Sequence, residues 1–337
     1  MTAAGPPPRR TRRRAALLGA AGALLAAPAA LAQAPRPWPQ GGPIRFVVPF
    51  PPGGTTDIVA RLVAEEMARA LGQTMLVENR PGAGATLGTG LVARAAPDGY
   101  TLLLTTISAM AVGQTLYRDR IAWDADRDFA HFAMLMGTPY LLLVNPRQPW
   151  RTLPEFVAAA KVRPDGIAYG TSGVGSMPHP VALRLAAAAG IEITHVPYRG
   201  AAQAATDVIA GVLPALVDNL TAASANIRAG AQRALAHTYP DRVPGFEEIP
   251  TFRELGFPDL VVDGWAGLAA PAGTPRPVLE RLAEAARAAL ASEAVRRRFA
   301  DTATTAGRLF LDDAQRFVRE EAAAWAPIVR QSGAAPD

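Results

Sequence analysis

The chain contains no cysteine. That excludes disulfides, thiolate metal sites, a cysteine nucleophile and a lipid anchor on an N-terminal cysteine. Lysine is nearly absent as well: Lys161 is alone among 34 basic residues, and the others are arginine. Histidine is scarce, with four in 337 residues, and His131, His195 and His237 stand isolated with no acid at metal-ligand spacing. Beyond the N-terminal region, no apolar run reaches the roughly 18 residues that a membrane span needs.

What is present at the N-terminus is an export signal. Arg9, Arg10, Arg12, Arg13 and Arg14 precede an apolar run from Ala15 to Leu31, which ends in Ala30-Leu31-Ala32. A basic segment, an apolar segment and a small-residue cleavage site predict removal of residues 1–32, with the cut before Gln33. A cut after Ala34 would set Pro35 against the scissile bond. Pro28 and the many alanines argue against a membrane anchor. The arginine cluster fits a twin-arginine signal only loosely, so the export route stays open.

The leader also decides the charge argument. The whole chain is +5, and the leader holds five arginines and no acid, so the remainder is neutral. The whole chain's pI near 10 therefore does not point to nucleic acid, which requires a basic domain. About 305 of the 337 residues remain after cleavage, more than one core usually organises, so two lobes are expected.

Residues 33–42 read as a Pro-rich, extended and loosely held arm. After them strands and helices alternate, which predicts an α/β protein with largely parallel sheets. Expected strands lie at Ile44–Val48, Met75–Glu78, Tyr100–Thr105, Ile167–Gly170, Ile193–Pro197, Leu213–Val217 and Leu235–Thr238. Expected helices lie at Thr56–Leu71, Thr86–Ala95, Leu153–Ala160, Val181–Ala189, Ala202–Ala210, Pro277–Ala291, Glu293–Ala300 and Asp312–Gln331. Two extended apolar segments, Met134–Val144 and Val261–Ala269, read as crossovers between lobes. The expected division is residues 43–140 with 262–337 in lobe 1 and 141–261 in lobe 2. Ligands of open α/β sheets bind beyond the carboxyl ends of the strands, so two facing lobes would form a cleft lined by strand-to-helix loops.

Four such loops carry polar groups. Phe46–Val48 runs through Pro49 and Phe50 into Pro51-Pro52-Gly53-Gly54-Thr55-Thr56-Asp57, a glycine turn opening a helix, where orphan amides and the helix dipole favour an anion. Thr105-Thr106-Ile107-Ser108 sets hydroxyls after a strand. Thr171-Ser172-Gly173-Val174-Gly175-Ser176-Met177-Pro178-His179 combines glycines, hydroxyls and a helix start. Val217-Asp218-Asn219 puts an acid and an amide at a strand end. Each alone is also readable as turn or cap chemistry.

Together these segments resemble the substrate-binding proteins of tripartite tricarboxylate transporters, the Bug receptors. The likeness continues through Val77-Glu78-Asn79-Arg80-Pro81-Gly82-Ala83-Gly84 and Ala96-Pro97-Asp98-Gly99-Tyr100-Thr101-Leu102-Leu103. It resumes at His195-Val196-Pro197-Tyr198-Arg199-Gly200 and ends with Pro271-Ala272-Gly273-Thr274-Pro275, covering nearly all of the chain after Pro43. The resemblance implies a type II periplasmic-binding-protein fold, in which two α/β lobes joined by extended hinge segments close on a small carboxylate. It implies delivery to a membrane permease by a monomer, with no cofactor, metal or nucleic acid. The ligand-binding residues expected are Phe50, Pro52, Gly53, Gly54, Thr55, Asp57, Thr106, Ser108, Thr171, Ser172, Gly175, Ser176, His179, Arg199 and Asp218.

Individual residues keep two readings. Asp57 either orients ligand or stabilises the helix dipole. His179 either touches ligand or hydrogen-bonds the glycine-rich loop, and Met177-Pro178 and Pro180 around it depart from the smoother helix start expected of the family. Arg199 either pairs with a carboxylate or is a solvated helix-start residue. Asp218 either accepts a hydrogen bond from a ligand hydroxyl or amine or caps the next helix. Gly82–Gly88 misses G-x-G-x-x-G by one position and reads as a close-approach turn at the cleft edge. The alternative function is a secreted serine hydrolase using Ser172 or Ser176 with His179. Against it, Val174 breaks G-x-S-x-G and no orienting acid lies nearby.

Overall fold

A computed structural model describes residues 1–3, 5, 37–163 and 165–331. Most of the expected export signal and the first part of the Pro-rich arm lie outside the described residues. The compact body begins at Trp38. The end of the expected loose arm is in fact docked. Trp38 packs on Tyr100 with ring centroids 6.4 Å apart, the Gly41 amide donates to the Tyr100 hydroxyl at 2.9 Å, and Gln73 donates to the Pro39 carbonyl. An aromatic body with a polar tip gives the arm something to bind.

The first α/β run comprises β1 (Ile44–Val48), α1 (Thr55–Leu71), β2 (Met75–Asn79), α2 (Thr86–Ala93) and β3 (Thr101–Thr106). In α1, Val59, Val63 and Met67 recur on one face together with Ala60, Ala64 and Leu71, all buried, as a core-facing helix requires. The helix stops at Gly72 in the left-handed region, φ +64°, where glycine carries no Cβ penalty. After β3 comes a segment the sequence did not announce: a π-helical turn at Ser108–Gly113 that runs into α3 (Gln114–Leu116).

The long apolar stretch then divides into β4 (Phe129–Gly137) and β5 (Tyr140–Val144), which belong to different sheets. The second run is α4 (Leu153–Lys161), β6 (Ile167–Thr171), α5 (Pro178–Ala189), β7 (Ile193–Pro197), α6 (Ala201–Ala210), β8 (Ala215–Asn219), α7 (Leu220–Arg228) and β9 (Arg233–His237). The chain returns through β10 (Ala266–Pro271) to α8 (Arg276–Ala291), α9 (Glu293–Asp301), the short β11 (Thr305–Ala306) and α10 (Asp312–Gln331). Among the described residues no helix is long and apolar enough to cross a membrane.

Two sheets result, ordered β11-β4-β10-β3-β1-β2 and β7-β6-β8-β5-β9. Within the α/β runs the pairing is parallel, β2-β1-β3 and β7-β6-β8. The expectation of largely parallel sheets needs one correction. β10 is antiparallel to both β3 and β4, and β5 is antiparallel to both β8 and β9. These are the strands that arrive from the other sheet, so they enter against the local direction. The two connections run side by side: the Gly264 amide donates to the Thr138 carbonyl, and the Thr138 amide to the Asp263 carboxylate. α8 packs against α1 and β4, and α10 against β4 and the π-helical turn, as expected of the C-terminal helices. Phe46, Leu102 and Phe132 are fully enclosed in that core, each worth about 1.5–3 kcal/mol.

Candidate functional site

The strand ends of the two sheets enclose a cavity of about 320 Å³. That sits at the small end of the roughly 300–1,000 Å³ usual for ligand pockets. The first sheet contributes Phe50–Pro52 and Gly54–Thr56 after β1, Thr106 and Ser108 after β3, and Met136 from β4. The second contributes Tyr140 from β5, Ser172 after β6, Pro178 of α5, Arg199–Gln203 after β7, and Asp218 and Asn219 of β8. The returning crossover supplies Gly264, Trp265 and Ala266.

Of the residues expected from sequence, Phe50, Pro52, Gly54, Thr55, Thr106, Ser108, Ser172, Arg199 and Asp218 meet in this wall. Gly53, Asp57, Thr171, Gly175, Ser176 and His179 stand behind it, each engaged elsewhere. The Gly53 amide donates to Asp57 Oδ2 at 3.0 Å, and Asp57 also accepts from Arg61 and Asn79. Asn79 in turn donates to the Phe50 carbonyl at 3.0 Å. Asp57 is thus the internal tie of its loop. Burial works against its ionisation, but the donations from Arg61, Gly53 and Asn79 outweigh that and hold its carboxyl below the ordinary range.

In the second glycine-rich loop, Thr171 Oγ1 lies 2.7 Å from His195 Nε2, and its hydroxyl accepts from the Gly173 amide. Ser176 Oγ donates to the Gly173 carbonyl at 2.6 Å. The His179 ring stacks on His195, centroids 3.9 Å apart and 17° between planes, and His195 stacks in turn on Tyr169. Burial, reinforced by His179 beside it, pushes His195 down to about 4. Gly175 faces Tyr117, where a Cβ would come within 2.7 Å of the ring. This loop backs the cavity, and Ser176 is committed to a carbonyl instead of being poised as a nucleophile.

Cross-cleft contacts hold the two jaws together. Ser108 Oγ, from the first sheet, accepts the Met177 amide at the start of α5, at 2.9 Å. The Tyr117 hydroxyl donates to the Val174 carbonyl at 3.4 Å. Gly84, at φ +57°, sits so close that a Cβ there would lie 3.0 Å from the Val174 oxygen. The near-dinucleotide glycines are therefore a contact turn at the cleft edge.

The polar character of the cavity is uneven. α1 and α6 both begin at glycine N-caps, Gly54 and Gly200, with no side-chain cap, so their first amides are open to a ligand. Thr55 Oγ1 is buried without a partner among the described residues. Asp218 is 3% exposed and accepts one hydrogen bond, from the Asn219 amide at 2.8 Å. Burial raises its carboxyl to about 7 against that single donation. Trp265 donates its indole N–H to Glu321 of α10 at 2.8 Å.

Sequence reasoning missed Tyr140, Trp265, Met136 and Gly264, as well as the start of α6. The signal was available for the first four, because crossover segments between facing sheets must border the cleft. An aromatic within a run of small residues, as in Gly264-Trp265-Ala266-Gly267, marks the point.

The family model of the tripartite tricarboxylate transporter family receptor matches residues 59–334. Protein BugT of Bordetella pertussis is 37% identical over 293 residues, 87% of this chain and 90% of its own. An R. palustris protein solved with adipate superposes with a TM-score of 0.84 at 32% identity, over 89% of this chain and 100% of its own. MatC from Rhodopseudomonas palustris, solved with bound malate, gives 0.81 at 34% identity, over 85% and 98%.

Proposed function

The chain belongs to the tripartite tricarboxylate transporter receptor family, and from that premise we propose that it captures a small organic carboxylate in the periplasm and hands it to a membrane permease. It is a receptor and not an enzyme. The observation that carries the reading is the cavity between the two sheets, walled by uncapped helix starts and hydroxyls from both sides. Such a wall holds an anion mainly by backbone dipoles and neutral donors, with exposed Arg199 at its edge. The relatives solved with adipate and malate support the same ligand class here.

The lobes are residues 43–140 with 262–337, and 141–261, and the paired crossovers are the hinge. Residues 1–32 direct export and are removed, and the mature receptor acts as a monomer. The ligand contacts are Phe50, Pro52, Gly54, Thr55, Thr106, Ser108, Ser172, Arg199 and Asp218, supported by their place in one wall.

Native mass spectrometry of the mature protein with its co-purified ligand, followed by thermal melts against a carboxylate panel, tests this. Ligand at 100 times its dissociation constant should add about 2.7 kcal/mol of stability, with no product formed. Turnover of chromogenic esters that disappears in Ser176→Ala would overturn it.

A further inference from the structure

The cavity has two chemically opposite ends, and strand order separates them. At one end the loop after β1 meets the start of α6: a Cβ on Gly200 would lie 2.9 Å from Pro51 Cγ, and one on Gly53 would lie 3.7 Å from Ala202 Cβ. Two uncapped helix N-termini and the Thr55 hydroxyl, which has no partner among the described residues, therefore gather there, with exposed Arg199 in the adjoining wall. No acid lies in the first turn of α6, and Asp57 of α1 is neutralised by its pairing with Arg61.

At the other end the crossover meets β8 and β5. A Cβ on Gly264 would lie 2.9 Å from the Tyr140 ring and 3.0 Å from the Asn219 side-chain Nδ2. Asp218 ends β8 here, and Asp263 and Glu321 stand close enough for all three acids to bear on the buried Tyr140 hydroxyl. Their partners are neutral: the Asn219 and Thr138 amides, the Tyr239 hydroxyl and the Trp265 indole. The second oxygen of Asp218 has no hydrogen bond among the described residues.

Between the β7 end, where α6 starts, and the end of β8 lie two strand intervals, about 10 Å. We propose that this receptor's ligand is a zwitterion: a carboxylate held at the α1 and α6 starts, joined by three to five methylenes to a protonated amine that pairs with Asp218. A dicarboxylate of the same length would set its second anion against a buried acid with no cation beside it, which is costly. An ammonium supplies the missing countercharge and donors for Asp218 and the Tyr140 hydroxyl.

This rests on the carboxylate-receptor reading, and calorimetry on the mature protein separates the two. The probes are 6-aminohexanoate, adipate and hexanoate, and 4-aminobutyrate, succinate and butyrate. At pH 8 an amino acid should bind at least on the order of tenfold tighter than its matched diacid, and Asp218→Asn should erase that preference. The sign of the pH dependence is a second readout. An ammonium displaces the Asp218 proton, so affinity should rise from pH 5.5 to 8, by on the order of tenfold. A diacid bound to protonated Asp218 would weaken over the same range. Ligand-free melting of Asp218→Asn, at or above that of the parent at pH 8, shows that the variant folds. A diacid binding tightest, and weakening as pH rises, overturns the zwitterion and leaves the carboxylate receptor standing. Heat from none of the six probes overturns both.

Discussion

Asp218 shows how one residue carries a cost in the empty protein that a ligand removes. Its folded carboxyl titrates near 7 against an ordinary 3.8, because burial opposes ionisation. A raised acid binds more protons in the folded state, so stability falls as pH climbs from about 4 to 7 and is flat above. The cost reaches up to about 4 kcal/mol at pH 8. Asp218→Asn should therefore raise the ligand-free melting temperature at pH 8 and leave it nearly unchanged at pH 4. Equal shifts at both pH values would mean that the carboxyl is not held protonated by burial. Asp57 has the opposite sign. Its lowered carboxyl contributes stability that is present above the unfolded value and lost as pH falls through the folded one. Both residues were legible in the sequence as strand-end and helix-start acids. Which of them faces the cavity was not, because that depends on whether a nearby arginine and asparagine claim the carboxylate first.

At the scale of elements, two hydroxyl contacts of similar strength should behave differently. Thr152 caps α4 with a reciprocal capping box through Glu155, well away from the cavity wall. Thr152→Ala should cost about 0.5–2 kcal/mol of stability without changing ligand affinity. Ser108 accepts an amide across the cleft, so Ser108→Ala should weaken binding by about two- to tenfold, the worth of one hydrogen bond. Chemical denaturation alongside calorimetry checks the pair, and a ligand-affinity loss in Thr152→Ala would sink the distinction. The helices and most strands were readable because apolar period, glycine stops and proline starts are local signals. The π-helical turn at Ser108–Gly113 and α7 were not. The first is short and carries no apolar period, and the second follows directly on what reads as a strand-end loop.

Over the whole molecule, cross-cleft bonds and side-by-side crossovers are what a closing receptor needs. Solution scattering should show a smaller radius of gyration with saturating ligand than without it. An unchanged value would argue against closure on binding. Composition and order along the chain determined the neutral body after residue 32, the α/β alternation and the polar loops at strand ends, because each is written in residues close together in sequence. Tertiary structure alone decided which loop residues form the wall and which form its support. It also decided that two helix starts share one end of the cavity and that a buried acid waits at the other. Those are relations between segments that meet only after both crossovers have been made, and local sequence carries no record of them.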